Sequence, residues 1–156
     1  MDYVVREATR RDIPAIVGLW REMMDYHSAS DYRFRFAANA EREVERHIAE
    51  SLRSRAARIF VAELGDGVVG YILGEVHQRR PIYPVGSYGF VSDISVAESH
   101  RRHGVGRALV RTLIVWFQRE RVTAIELFAA ETNDASMSFW RSMGFNNYLR
   151  LLRREL

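Results

Sequence analysis

The chain has 156 residues, 47% hydrophobic and 28% charged, a mix that belongs to a folded globular protein and a length that suits one domain, 1–156. Its net charge of +3 is too small to demand a nucleic acid, and the 23 basic residues, all arginine, are scattered without interleaved aromatics, so no nucleic-acid partner is expected. Cysteine is absent, which excludes disulfides and a cysteine nucleophile; no apolar stretch approaches the ~20 residues of a membrane span and no leader pattern opens the chain, so no membrane partner and a cytoplasmic location are expected.

Residues 3–6 read as a short strand, after which Thr9 and Asp12 have the spacing of a capping box and Pro14 falls early enough in a helix to be tolerated. Ile13, Ile16, Val17, Leu19, Trp20, Met23 and Met24 recur at helical spacing and predict one buried stripe. Residues 26–38 mix aromatic, serine and charged side chains without a period and read as a loop or an irregular lead into a second helix. Asn39 can cap that helix, which carries Val44, Ile48 and Leu52. Residues 58–64 and 68–76 flank Gly65-Asp66-Gly67 as an antiparallel hairpin. Pro81 and Pro84 mark a loop, and 88–96 form a further β-branched and aromatic run.

The clearest helix is 104–120, with Val105, Leu109, Leu113, Trp116 and Phe117 on one face. A strand over 123–130 follows, then a helix capped by Asn133 that reaches Met143 and stops at Gly144, and a last short strand over 148–153. The order β-α-α-β-β-β-α-β-α-β predicts an α/β fold: a mixed, mostly antiparallel central sheet flanked by helices on both faces, with one parallel strand-helix-strand unit.

The chemistry concentrates where strand 88–96 runs into Arg101-Arg102-His103-Gly104-Val105-Gly106-Arg107. A helix start presents unpaired N–H groups and the positive end of its dipole, and glycines let an anion approach the backbone, so this loop suits a phosphate or pyrophosphate. Gly104 and Gly106 lack the third glycine of a dinucleotide fingerprint, and no Gly-Lys-Ser/Thr follows as a nucleotide-binding P-loop requires. A glycine turn with solvated arginines is the plain alternative. The five histidines (His27, His47, His77, His100, His103) show no paired ligand spacing, so no metal is expected.

The run Val91-Ser92-Asp93-Ile94-Ser95-Val96, then Arg101-Arg102-His103-Gly104-Val105-Gly106, resembles the signature Arg/Gln-x-x-Gly-x-Gly/Ala of the GNAT superfamily of N-acyltransferases. A second element of that family stands at the matching distance: Ala129-Ala130-Glu131-Thr132-Asn133, Ser136 and Phe139-Trp140-Arg141-Ser142-Met143-Gly144-Phe145. The resemblance implies acetyl-CoA as cosubstrate. It places the backbone of Ile94 and Val96 along the pantetheine arm with a local bulge, and the amides of Arg102, His103, Gly104, Val105, Gly106 and Arg107 on the pyrophosphate, with Arg101 beside them. It also places Asn133 and Phe139 against the pantetheine region, where Asn133 has a second reading as a plain helix cap.

The implied reaction is direct transfer of an acetyl group to a primary amine, on a small molecule or a peptide. An amine is protonated near neutral pH, so a base and a carbonyl-polarising donor are needed. Asp93 is the candidate base, with Glu75 and Glu131 behind it and a purely structural role for Asp93 as the alternative; the backbone N–H of Ile94 is the candidate oxyanion donor. The family often has a tyrosine where Trp140 stands, and indole cannot protonate a thiolate, so the acid is unassigned. That difference keeps open a non-catalytic acyl-CoA-binding module. The acceptor is expected to enter near residues 26–32, where Asp25, Asp31 and Tyr32 would suit a cation, and the 148–153 strand is available to pair across a homodimer.

Overall fold

The computed structural model describes residues 2–82 and 86–155, so the expected loop position Pro84 lies outside the described residues. Five strands form one sheet: β1 (Val4–Glu7), β2 (Ala57–Leu64), β3 (Gly67–Gln78), β4 (Ser87–Val96) and β5 (Ile125–Leu127). They lie in the order β1-β2-β3-β4-β5, and all neighbours are antiparallel except β4 and β5, which are parallel. The helices are α1 (Ile13–Ser30), α2 (Ala40–Ser51), α3 (Val105–Arg119) and α4 (Asp134–Ser142). Helix α3 supplies the crossover that a parallel β4–β5 pair requires.

Strand alternation divides the core into two layers. Ile59 and Val61 of β2 with Tyr71 and Leu73 of β3 pack against Ile16, Leu19 and Trp20 of α1 and Ile48 of α2. Ala62 and Ile72 turn to the other face, toward Val105, Leu109, Leu113 and Phe117 of α3 and Trp140 of α4. Two glycines make this second layer possible: a Cβ on Gly74 would stand 2.5 Å from Leu113, and one on Gly89 2.8 Å from the Phe117 ring. The α3 helix therefore lies against bare backbone at β3 and β4.

At the start of α1 the expected capping box is formed, with the Thr9 N–H donating to the Asp12 carboxylate at 2.7 Å. Asp12 also accepts both guanidinium nitrogens of Arg6, at 2.8 and 2.9 Å, and Arg6 reaches Glu63 of the neighbouring strand. This ties β1, β2 and the α1 entry together.

Three expectations are corrected. Residues 26–30 are not a loop but the last turn of α1, because Tyr26 and His27 still complete helical hydrogen bonds, including Asp31 N–H to the His27 carbonyl at 2.9 Å; only a short 3-10 turn (Tyr32–Phe34) and the following residues are irregular. The strand expected over 123–130 pairs only at Ile125–Leu127, since the parallel ladder ends at Val91↔Leu127. Residues 148–153 form no strand, and Tyr148, Leu149, Leu151 and Leu152 stand exposed beside the sheet.

Candidate functional site

The parallel ladder between β4 and β5 stops at Val91, and the antiparallel register between β3 and β4 slips at the same place: Leu73 faces Asp93 while Gly74 faces Val91, leaving Ser92 as an extra residue. A bulge of this kind bends its strand and re-aims side chains. Beyond it, the β4 backbone from Ser92 to Val96 has no β5 partner, so Ile94 and Val96 lie on a free strand edge. The bulge that the family resemblance implies for this strand is present, and the strand parts from β5 beyond it.

The free edge leads to the start of α3. Gly104 sits at φ 85° and Arg102 at φ 65°, the second a backbone conformation that costs a side-chain-bearing residue free energy and tends to persist at functional sites. The first α3 ladder bond is Ala108 N–H to the Gly104 carbonyl. The N–H groups of Val105, Gly106 and Arg107 thus lack intrahelical acceptors, as at any helix start, and Gly104 offers no side-chain cap. A Cβ on Gly106 would meet the Phe139 ring at 3.4 Å, so this glycine brings α4 against the first turn of α3.

Each expected cofactor residue has a definite place. The side chain of Val105 is buried in the core, leaving only its backbone to face the loop. Arg102, His103 and Arg107 are exposed, with Arg107 near Ser142 at 3.4 Å. Arg101 instead folds back: its guanidinium donates to the Val96 carbonyl at 2.9 Å and to Glu22 at 3.1 Å, so it braces the end of β4 against α1. Asn133 caps α4, its Oδ1 accepting the Ser136 N–H at 3.0 Å. Trp140 is 6% exposed and packed edge-on between Phe139 and Phe145, a core position.

Asp93 projects from the α1/α2 face at the bulge, paired across the strands with Leu73, two residues from Glu75 on the same face. Burial pushes its pKa from 3.8 up to about 6; the nearby imidazole of His47 on α2 opposes this, and the Glu75 carboxylate adds to it. A carboxyl that titrates near neutrality can take a proton from an ammonium group. Glu75 accepts the Ser92 hydroxyl at 2.6 Å and lies 3.5 Å from His77 Nε2, whereas Glu131 is exposed 3.9 Å from Arg150 and does not join them.

Two further groups escaped the sequence reading. Tyr71, two inter-strand pairs along from Asp93 and on the same face, is fully buried with a hydroxyl that has no partner among the described residues, and burial raises its pKa well above the ordinary value. Ser92 becomes a partner of Glu75 only because the bulge exposes it. Alternation placed Tyr71 and Asp93 within two strands, but only the register joins them. The acidic residues expected to meet an acceptor are occupied: Asp25 is chelated by Arg21 at 3.0 and 3.1 Å, and Asp31 caps the 3-10 turn and pairs with Arg33, which lowers its pKa to about 2. Tyr32 donates to Glu155. Among the described residues no group of three or more His, Asp or Glu side chains is placed to hold a metal ion, and no helix is long and apolar enough to cross a membrane.

Comparison with known proteins joins this geometry to a family. The BH1408 protein of Bacillus halodurans, in a mutant form, superposes with a TM-score of 0.88 at 21% identity over 98% of this chain and 99% of that one. Aminoglycoside N-acetyltransferase AAC(6')-Iy, solved in complex with CoA, gives a TM-score of 0.81 at 15% identity, covering 99% and 95%. These likenesses establish the fold. An N-alpha-acetyltransferase of Sulfurisphaera tokodaii is 25% identical over 158 residues, 97% of this chain and 84% of that protein. The model of the acetyltransferase (GNAT) family matches residues 19–145, from within α1 to the end of the second sequence element. The chain is an enzyme of the acetyltransferase (GNAT) family.

Proposed function

We propose that the chain moves an acetyl group from acetyl-CoA directly to a primary amine, acting as one domain over residues 1–156. The observation that carries this is the continuity of the free β4 edge, from Ser92 to Val96, with the glycine-rich start of α3. In this reading the backbone of Ile94 and Val96 holds the pantetheine arm as an added strand would. The amides of residues 102–107 hold the pyrophosphate, assisted by the exposed guanidiniums of Arg102 and Arg107, and Arg101 sets the turn rather than meeting the phosphates. Phe139 and Asn133 border the arm from α4.

Asp93 takes the proton from the incoming ammonium, and the Ile94 N–H donates to the carbonyl oxygen as charge develops there. Trp140 takes no part in proton transfer. The family supports the donor, and the Sulfurisphaera tokodaii relative, named an N-alpha-acetyltransferase, supports an amine acceptor.

Titration calorimetry tests the donor. Wild-type protein is expected to bind acetyl-CoA at micromolar levels, and Gly106→Trp to weaken that binding at least ~10-fold with the circular-dichroism spectrum retained. Absence of wild-type binding refutes the proposal. Binding without CoA release across a panel of amines would instead favour a non-catalytic acyl-CoA-binding module, the reading that Trp140 in place of the family tyrosine keeps in view.

A further inference from the structure

Below the bulge, the sheet face that carries Asp93 is paved with aromatic side chains that belong to neither core layer. Tyr88 and His77 have ring centroids 5.5 Å apart, His77 and Phe90 5.4 Å, and Phe90 and Phe128 5.4 Å, forming one continuous row across β3, β4 and the end of β5. The cross-strand pairs His77↔Tyr88, Glu75↔Phe90 and Phe90↔Glu126 put all of them on one face, with Glu75 alongside. Phe128 is 79% exposed, a large uncovered ring at the sheet edge. Most buried strand positions in this chain are aliphatic, Tyr71 excepted, whereas these rings are half-buried or exposed and join neither core cluster, so the row marks a surface that water does not suit.

The charges along the row are asymmetric. At its far end Arg79 stacks on Tyr88 at 4.4 Å and pairs with Glu126, so that charge is compensated. At its near end no arginine pairs with Glu75 or Asp93 among the described residues; their neighbours are the Ser92 hydroxyl and His77 for Glu75 and the His47 imidazole for Asp93. One inter-strand pair separates Phe90 from the Leu73↔Asp93 pair, a step of roughly 7 Å along the strands. A flat apolar body resting on Phe90 and Phe128 can therefore hold an ammonium at Glu75 and Asp93 if the two are joined by a short alkyl tether.

We propose that this row is the acceptor platform and that the acceptor is an arylalkylamine, its ring on Phe90, Phe128 and His77 and its nitrogen at the Glu75–Asp93 end. The inference rests on the acetyl-transfer reading above. A polyhydroxylated polyamine would need several carboxylates free of arginine, and the face offers two, Glu75 and Asp93, each with a histidine already near it. A peptide amine would place backbone polar groups on the aromatic row, where it offers them no partner beyond the Glu75 end.

The test is CoA release with acetyl-CoA and four acceptors: 2-phenylethylamine, butylamine, kanamycin, and a heptapeptide with a free N-terminal serine. The expected result is a kcat/KM for 2-phenylethylamine at least ~10-fold above butylamine and above the other two. Phe128→Ala, which removes an exposed ring and no core contact, and Phe90→Leu are each expected to reduce the phenylethylamine-to-butylamine ratio by about five-fold or more through KM, with acetyl-CoA binding retained. Val115→Ala, exposed on α3, is expected to leave that ratio as in wild type. Preference for kanamycin or the peptide, or a ratio unmoved by Phe128→Ala, overturns this inference while leaving the transferase standing. If acetyl-CoA binds and no amine is acetylated, the acetyl-transfer reading falls and takes this one with it.

Discussion

Replacing Asp93 with asparagine should make the protein more stable and much less active, two effects of opposite sign from one cause. The carboxyl is held in a partly buried site that lifts its pKa from 3.8 to about 6. At about 1.4 kcal/mol per pKa unit, keeping it ionised above pH 6 costs the folded state about 3 kcal/mol. The proton is bound more tightly in the folded than in the unfolded chain. Stability is therefore greatest when Asp93 is protonated in both states, below pH 4, and declines as pH rises from about 4 to 6. Asparagine has the same shape and no charge, so Asp93→Asn should raise stability at pH 8 by about 2–3 kcal/mol, an increase in Tm of about 4–12 °C for a chain of this size. The difference should vanish near pH 3.5.

As the base of the proposed reaction, Asp93 should also give wild-type kcat/KM a rising limb centred near pH 6. In the variant that limb should disappear and the rate at pH 8 should fall about 100-fold or more. Thermal unfolding at the two pH values and CoA release across pH 5–9 measure both. A variant that is less stable at pH 8, or that keeps the limb and the rate, would refute the argument that burial of this carboxylate serves proton transfer.

Gly89→Ala should cost about 1–3 kcal/mol in denaturant unfolding, because its Cβ would stand 2.8 Å from three atoms of the Phe117 ring, and Phe117→Leu in the same chain should recover part of the loss. Asp12 carries the opposite sign to Asp93: hydrogen bonds from Arg6 lower its pKa from 3.8 to about 2. Its contribution is present above pH 4 and lost as pH falls toward 2, so Asp12→Asn should destabilise by about 2 kcal/mol at pH 7 and flatten the acid limb of a stability profile. Together with the calorimetric comparison of Gly106→Trp, these measurements separate the fold's supports from the site's.

Much of this protein is legible without coordinates, because its signals are local. Period and cap chemistry mark α3 and α4, turn glycines mark the β2–β3 hairpin, and Gly104 and Gly106 mark a helix start open to an anion, since each depends on residues within a few positions of one another. The failures are equally physical. Residues 26–30 lack an apolar period, yet they continue α1 because a helix already nucleated adds a turn at small cost. Residues 148–153 have strand-like composition, but a strand exists only with a partner, and the ladder at β5 runs for three residues.

Sequence alone determined the α/β plan, one sheet with helices on both faces, and the loop at residues 101–107, for which local propensity and backbone geometry suffice. Tertiary structure decided which of the candidate groups lie together. The one-residue slip at Ser92 opens the β4 edge, brings Ser92 to Glu75 and turns Asp93 inward beneath Tyr71. It also decided that Asp25, Asp31 and Arg101 are paired within the fold, and that Tyr88, His77, Phe90 and Phe128 form one row. Register across strands and ion pairing between helices are long-range choices, made by packing energy among segments that no short window of sequence contains.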